Sequence, residues 1–285
     1  LVGSEMCIRD SPIIVAKENV VKQRLKEIGY GENLDIKIVN STNKNLRDKY
    51  VKLLFKKMHR DQGLLERDCD RMIRTDRVIW ASCMVECGDA DAMVTGNTRR
   101  YSQSLEKIKK VIPARLGEIM FGLNMMVSKG KTVFIGDTSV NEYPTSKELA
   151  DIAISSARVV RLFGFDPKVA FLSHSTFGQP ITSRTKHIRD AVDILKERRV
   201  DFKFDGDMQP DVALNEEYSD LYPFSEIVGK ANILIMPGQH SAAISNKIMK
   251  TLGGAKIIGP LLIGLAQPID CLLYTSDAAD DTTGV

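Results

Sequence analysis

The sequence predicts an α/β protein built as two lobes of mostly parallel sheet with helices on both faces. Three observations carry that prediction. Short apolar runs, such as Thr132–Gly136 and Lys168–Leu172, alternate with longer stretches whose apolar residues recur at helical spacing. Most of the runs in the second half are apolar rather than alternating, as expected of strands covered on both faces. The chain has 285 residues, 43% of them hydrophobic and 27% charged, enough for one large domain or two lobes with real cores.

In chain order, Asn19–Ile28 places Val20, Val21, Leu25 and Ile28 at helical spacing, and Gly29 stops the run. Leu34–Val39 alternates like a strand. Leu46–His59 and Leu64–Ile73 read as amphipathic helices separated near Gly63. Val78–Glu86 reads as a mostly buried helix around Trp80, and Ala92–Val94 as a short buried strand before Gly96. Tyr101–Val111 is helical, with Leu105, Ile108 and Ile112 on one face.

The second half alternates more cleanly. Strands are predicted at Thr132–Gly136, Lys168–Leu172, Asp201–Phe204 and Asn232–Met236. Helices are predicted at Ser146–Phe163, Lys186–Arg198 and His240–Leu252. Pro144 and Thr145 open the first of these helices and Gly164 closes it. No repeat or low-complexity tether appears, so the lobe boundary must be a crossover between sheets. The sequence puts lobe I at 12–130, with 259–270 returning to it, and lobe II at 131–258. The turns lie near Gly130 and Gly259.

Net charge is +3 with both signs interspersed, so no basic stripe suggests nucleic acid. The longest apolar run, Ile257–Ala266, is broken by Gly259, Pro260 and Gly264 and falls short of the ~20 residues of a membrane span. No signal peptide is visible. The five cysteines form no CxxC pair, and Cys83 and Cys87, one helical turn apart, read as packing residues. The expectation is a reduced, cytoplasmic protein with no metal site. Both ends look foreign. LVGSEMCIRDS (1–11) and CLLYTSDAADDTTGV (271–285) resemble translated sequencing-adapter DNA, leaving a native segment of about Pro12 to Asp270.

In open α/β sheets, ligands bind beyond the carboxyl ends of the strands. That rule selects Gly136-Asp137-Thr138, then Ser173-His174-Ser175-Thr176-Phe177-Gly178. It also selects Asp205 to Asp211, and Pro237 to Lys247. The Ser173–Gly178 loop offers hydroxyls and flexible N–H groups, with Arg184 and Lys186 a few residues on. This suits a phosphate group, or hydroxyls that merely cap the next helix. Ser241 can cap a helix whose positive end faces the same cleft, or simply start an ordinary helix. Asp205, Asp207 and Asp211 invite a hard cation, but Gly206 and Pro210 read as turn chemistry. His174 as a base beside Ser173 or Ser175 lacks a GxSxG elbow. Neither GxGxxG after a strand nor GxxxxGK[ST] occurs.

Six segments together resemble one family. They are GDADAMVTG (Gly88–Gly96), FIGDTSVNEYPTSKELADIAI (Phe134–Ile154) and VAFLSHSTFG (Val169–Gly178). The others are DGDMQPDVAL (Asp205–Leu214), LYPFSEIVGKANILIMPGQHSAAISNKI (Leu221–Ile248) and LGGAKIIGPLLIGLAQPI (Leu252–Ile269). They are similar to the phosphotransacetylase-type domain, in the version fused behind bacterial NADP-dependent malic enzymes. The resemblance implies a two-lobed fold like isocitrate dehydrogenase, truncated at its C-terminus, and a homo-oligomer. It implies an acetyl-CoA or phosphate site drawn from Asp137, Ser173, His174, Ser175, Thr176, Gly178, Arg184, Asp205, His240, Ser241 and Lys247.

Departures from the family bear on activity. The family's catalytic Ser-Arg-Gly follows the closing segment, and the native sequence stops at Ile269-Asp270. A basic residue of the family's site aligns with Glu106. The resemblance therefore implies a regulatory acetyl-CoA-binding domain without acyl transfer. The NADP and the Mg or Mn of malate oxidation to pyruvate and carbon dioxide would sit in an upstream malic enzyme catalytic domain. The alternative is a stand-alone phosphate acetyl- or butyryltransferase, converting acyl-CoA and phosphate to acyl phosphate and CoA. A purely structural oligomerisation module is the third reading.

Overall fold

A computed structural model describes residues 11–29, 36–96 and 100–271. The 1–10 and 272–285 tails, and the first part of the strand expected at Leu34–Val39, lie outside the described residues. The chain divides into two compact units, residues 1–93 with 102–113, and residues 94–101 with 114–285.

In the first unit, β1 (Ile13–Val15) pairs in parallel with β2 (Lys37–Val39), joined through α1 (Glu18–Glu27). The rest is helical: α2 (Lys44–Gln62), α3 (Glu66–Thr75), α4 (Arg77–Glu86) and most of α5 (Tyr101–Val111). Asn43 caps α2 through Leu46 N–H, and Gly63 ends it in the left-handed conformation, φ 64°. Buried Tyr50, Leu54, Ile73, Trp80, Cys83 and Ile108 form the core. The Tyr50 and Trp80 rings meet edge to face with centroids 4.9 Å apart. Cys83 is buried and Cys87 half-buried, both as free thiols.

The second unit is a six-stranded sheet. Its strands are β4 (Phe121–Ser128), β5 (Lys131–Gly136), β6 (Lys168–Leu172), β7 (Lys203–Met208), β8 (Ile233–Ile235) and β9 (Lys256–Ile263). Their order across the sheet is β7-β6-β8-β5-β4-β9. Strands β5 to β8 run parallel, whereas β4 is antiparallel to both its neighbours. A short β3 (Met93–Thr95), inside which the division between the units falls, pairs with β10 (Ile269–Cys271).

Helices α6 (Ser146–Leu162) and α7 (Ser183–Arg198) cover one face. The other carries α8 (Pro210–Leu214), a 3-10 turn at Glu216–Leu221, and α9 (Gln239–Thr251). The apolar strands serve both faces by alternation. Phe134, Val169, Phe171, Ile233 and Ile235 pack under α6 and α7. Ile135, Ala170, Leu172 and Leu234 point to the opposite core with Met208, Val212 and Ala242. The α6 start is the capping box that its sequence promises: Thr145 and Glu148 each satisfy the other's backbone N–H.

The lobe boundaries expected near Gly130 and Gly259 differ from the division seen. Lys129 and Gly130, φ 48° and 76°, form the two-residue turn of a β4–β5 hairpin. The hairpin keeps 114–130 with the second unit rather than with lobe I. Gly259 sits inside β9, at a register irregularity against β4. A Cβ there would lie 2.9 Å from Leu123 O, so this glycine lets two strands approach rather than turning the chain back to another lobe. Two further edges shift. Strand β7 runs on to Met208 instead of ending at Phe204, and α7 starts at Ser183, where Thr182 caps it.

Candidate functional site

Adjacent strands β5 and β8 send their chains to opposite faces, β5 into α6 and β8 into α9. This is the arrangement that opens a crevice beyond the carboxyl ends of the strands. The candidate residues of the second half gather along that edge in two polar clusters.

The first cluster surrounds Asp137, directly after β5 and 1% exposed. Its Oδ1 accepts from the N–H groups of Gly122 (2.8 Å), Ser139 (2.9 Å) and Val140 (3.2 Å). Its Oδ2 accepts from Asn141 N–H and from Asn141 Nδ2, both 2.6 Å. Five donors occupy both oxygens, so Asp137 organises the turn rather than reaching a ligand. Asn141 Nδ2 also donates to Met120 O, 2.8 Å, tying the turn to the start of β4. Close by, the Tyr101 hydroxyl and Ser139 Oγ are 3.1 Å apart. Burial pushes the Tyr101 phenol well above its ordinary range, with Asp137 and Asp270 adding to the effect and the Ser139 bond opposing it. Burial also raises the Asp270 carboxyl, which accepts from Leu262 N–H and Cys271 N–H.

The second cluster joins β6 to β7. Asp207, fully buried at the end of β7, accepts from Ser175 Oγ and from Arg189 Nε at 2.9 Å. Ser173 and Ser175 Oγ are 3.2 Å apart. Gln209 holds the loop from outside, its N–H on Thr176 Oγ1 at 3.2 Å and its Nε2 on His174 O at 2.8 Å. Gly178 lies against the Arg189 guanidinium, where a Cβ would come 2.6 Å from Nη2. The loop hydroxyls therefore neither cap the next helix, which Thr182 does, nor point freely to solvent. They knit the loop to Asp207 and Gln209.

Arg184 stands exposed in the first turn of α7 and His174 exposed at the loop tip. Asp205 is half-buried, and its Oδ1 accepts the Gly206 N–H at 2.9 Å. Among the described residues, no group of three or more His, Cys, Asp or Glu side chains is placed to hold a metal ion. The Asp205, Asp207 and Asp211 spacing is not a cation site: Asp207 faces inward to Arg189, while Asp211 is exposed in the first turn of α8.

At α9 the expectation changes. Ser241 Oγ donates to Gly238 O at 2.8 Å, so it is not the N-cap. That position is Gly238, which has no side chain to cap with. No side chain caps the first turn, whose Gln239 N–H donates to Glu142 O at 3.3 Å, and His240 beside it is exposed. Lys247, two turns further along α9, is exposed too.

Sequence reasoning passed over Arg189, Gln209 and Asn141. Arg189 adjoins Ile188 on a helix whose apolar residues face the sheet, and nothing in its spacing points across to β7. Asn141 had a signal available: Asx residues a few positions after an Asp commonly close such turns.

Residues 5–282 match the family model described as Phosphate acetyl/butaryl transferase. The NADP-dependent malic enzyme of Rhizobium meliloti is 41% identical over 269 residues, 94% of this chain and 35% of that protein. The phosphate acetyltransferase of Clostridium acetobutylicum is 32% identical over 272 residues, covering 91% of this chain and 80% of that protein. The chain thus spans about a third of the length of the malic enzymes it matches. Among solved structures, a phosphotransacetylase from Streptococcus pyogenes superposes with a TM-score of 0.85 at 28% identity, covering 93% of this chain and 81% of that one. The EutD phosphotransacetylase from Staphylococcus aureus gives 0.82 at 25% identity, with the same coverage.

Proposed function

The chain belongs to the Phosphate acetyl/butaryl transferase family, and from that premise we propose that it is the regulatory, acetyl-CoA-binding part of an NADP-dependent malic enzyme. The parent protein would convert malate to pyruvate and carbon dioxide, using NADP and Mg or Mn held upstream of this segment. The second unit would bind the effector and transmit its presence through differential affinity for two arrangements of the protein.

One observation supports binding without turnover. The hydroxyls and carboxylates at the strand ends are already partnered: Asp207 accepts from Ser175 and from Arg189, and Asp137 from five N–H groups. Among the described residues neither Ser173 nor Ser175 is hydrogen-bonded to a histidine ring, the pairing by which an enzyme nucleophile would be activated. What stays accessible suits an anionic ligand: exposed Arg184, His174 and His240, the last in the first turn of α9, which no side chain caps. In the first unit, exposed Glu106 pairs with Lys110 at 3.2 Å. The resemblance puts a basic residue of the family's site at that position, so a carboxylate there argues against phosphate as a co-substrate.

Acetyl-CoA titrated into the chain tests this reading. Saturable binding is expected, with a stability gain of about 2.7 kcal/mol at a hundredfold excess over Kd. Arg184→Ala should weaken binding about tenfold. Phosphate added with acetyl-CoA should release no free thiol. Phosphate-dependent thiol release would instead establish a stand-alone phosphate acetyl- or butyryltransferase, which the 80% coverage of the Clostridium enzyme favours. A melting curve indifferent to acetyl-CoA would leave a structural module.

A further inference from the structure

The Ser173–Gly178 loop keeps a conformation that its own residues do not favour. Phe177 and Gly178 are consecutive and both at positive φ, 45° and 107°. A phenylalanine in that region persists only where its surroundings over-determine it. Two backbone contacts with β7 contribute: Ser173 N–H donates to Met208 O at 2.9 Å, and Phe177 N–H to Asp207 O at 2.8 Å. A further support comes from one side chain of α7, Arg189.

The Arg189 guanidinium meets the frame of the loop on two sides. Its Nε donates to Asp207 Oδ1 at 2.9 Å, and Asp207 Oδ2 accepts from Ser175 Oγ. Asp207 is fully buried with Arg189 as its ion-pair partner, and a buried carboxylate needs such a partner. The rest of the guanidinium lies against Gly178. A Cβ there would stand 2.6 Å from Nη2, 3.1 Å from Cζ and 3.2 Å from Nη1. The guanidinium thus fills the space that a side chain at 178 would claim. Nη2 is itself buried, with no hydrogen-bond partner among the described residues. A buried charged donor left unpaired is costly, so Arg189 is not placed by its own hydrogen bonding alone. Asp207 and Gly178 hold it between them. A planar guanidinium can bond along one edge and pack with the remainder, which the point charge of a lysine cannot.

We propose that Arg189 is the positioning residue of this loop: it bonds Asp207 with one nitrogen, supports Gly178 with the rest, and so fixes how Ser173, Ser175 and Thr176 are presented. It acts through the loop rather than on a ligand. Arg189 and exposed Arg184 belong to the same helix, so one element sets both the shape of the loop and the place of a nearby cation. The consequence for acetyl-CoA rests on the function proposed above; the consequence for the loop does not.

Hydrogen–deuterium exchange of the full chain, read at the Ser175 and Phe177 amides, tests the proposal. Arg189→Lys keeps a cation for Asp207, so its melting should stay close to the parent's. Exchange at the two loop amides should nonetheless rise about tenfold, with the amides of α6 unchanged. Acetyl-CoA binding should weaken about tenfold as well. In Arg189→Ala, millimolar guanidinium chloride should restore protection of the loop, and sodium chloride at the same strength should not. A general loss of packing would show no such rescue. Arg184→Ala should leave loop exchange at the parent's rate. Loop exchange in Arg189→Lys equal to the parent's would overturn the proposal, and that variant decides the matter should Arg189→Ala not fold. Weaker binding without faster exchange would also overturn it, because Arg189 would then act on the ligand itself. A parent chain that binds no acetyl-CoA would end the effector reading, and exchange at the loop would still decide this one.

Discussion

Replacing Asp137 by Asn keeps size and shape and changes one oxygen into a donor. The amide can turn its remaining oxygen to Gly122, Ser139 and Val140 N–H. Its nitrogen then faces Asn141 N–H and Asn141 Nδ2, two donors at 2.6 Å from the present Oδ2. Two charge-assisted bonds are lost, each about 1.5–3 kcal/mol. Asn141 can flip to offer its oxygen, but it then gives up its bond to Met120 O. The net cost is about 3 kcal/mol, because no water reaches a residue 1% exposed to repair the turn. At about 2–4 °C per kcal/mol for a unit of this size, the midpoint should fall by roughly 6–12 °C. Thermal unfolding followed by circular dichroism reads this directly. Asp205→Asn is the control: its carboxylate accepts only the neighbouring Gly206 N–H among the bonds described, and it should cost under about 1 kcal/mol. An Asp137→Asn variant melting within about 2 °C of the parent would refute the view that the five donors hold the β5–α6 turn.

Two further substitutions probe the frame around the site. Gly206 has φ 151°, and a Cβ there would sit 2.7 Å from Phe171 O and 2.8 Å from Phe171 Cβ. Gly206→Ala should therefore cost about 2–4 kcal/mol, visible as a lower denaturation midpoint. Glu118 is held bidentate by Arg158 at 2.7 and 2.8 Å, and that hydrogen bonding lowers its carboxyl below the usual 4.5. A depressed acid contributes stability that is present above 4.5 and lost as pH falls through the folded value. Arg158→Ala should cost no more than about 1 kcal/mol at neutral pH, since the guanidinium is half-exposed. Its stability curve should merge with the parent's in acid, and a gap that persists there would show that the loss is one of packing.

The parts of the fold that the sequence displays are those whose cause is local. Pro144-Thr145 followed by Glu148 marks the start of α6, and the apolar runs of β5, β6 and β8 bury on both faces wherever they lie. The antiparallel β4 and β9 were illegible for the opposite reason. Phe121–Ser128 mixes Asn and Met into its run, and Gly259-Pro260 breaks the pattern of β9. Only pairing with β5, and of β4 with β9, makes strands of them. The site shows the same division. Strand ends and loop residues could be chosen from the alternation of elements. That Asp207, not Asp205, turns inward depends on where β7 ends and on a side chain reaching over from α7. Neither is written in the spacing of those residues.

Strand β4 has partners made at very different times. Its hairpin partner β5 follows at once, with Ser128 opposite Lys131, but its other neighbour is β9, with Leu123 opposite Leu261. A ribosome adding about 5–20 residues per second needs on the order of ten seconds between those two residues. Strand β8, which must enter between β5 and β6, is also translated after both of them and after β7. The nascent sheet thus waits with a gap in its middle and an open edge at β4, and a chaperone would find its substrate in that interval.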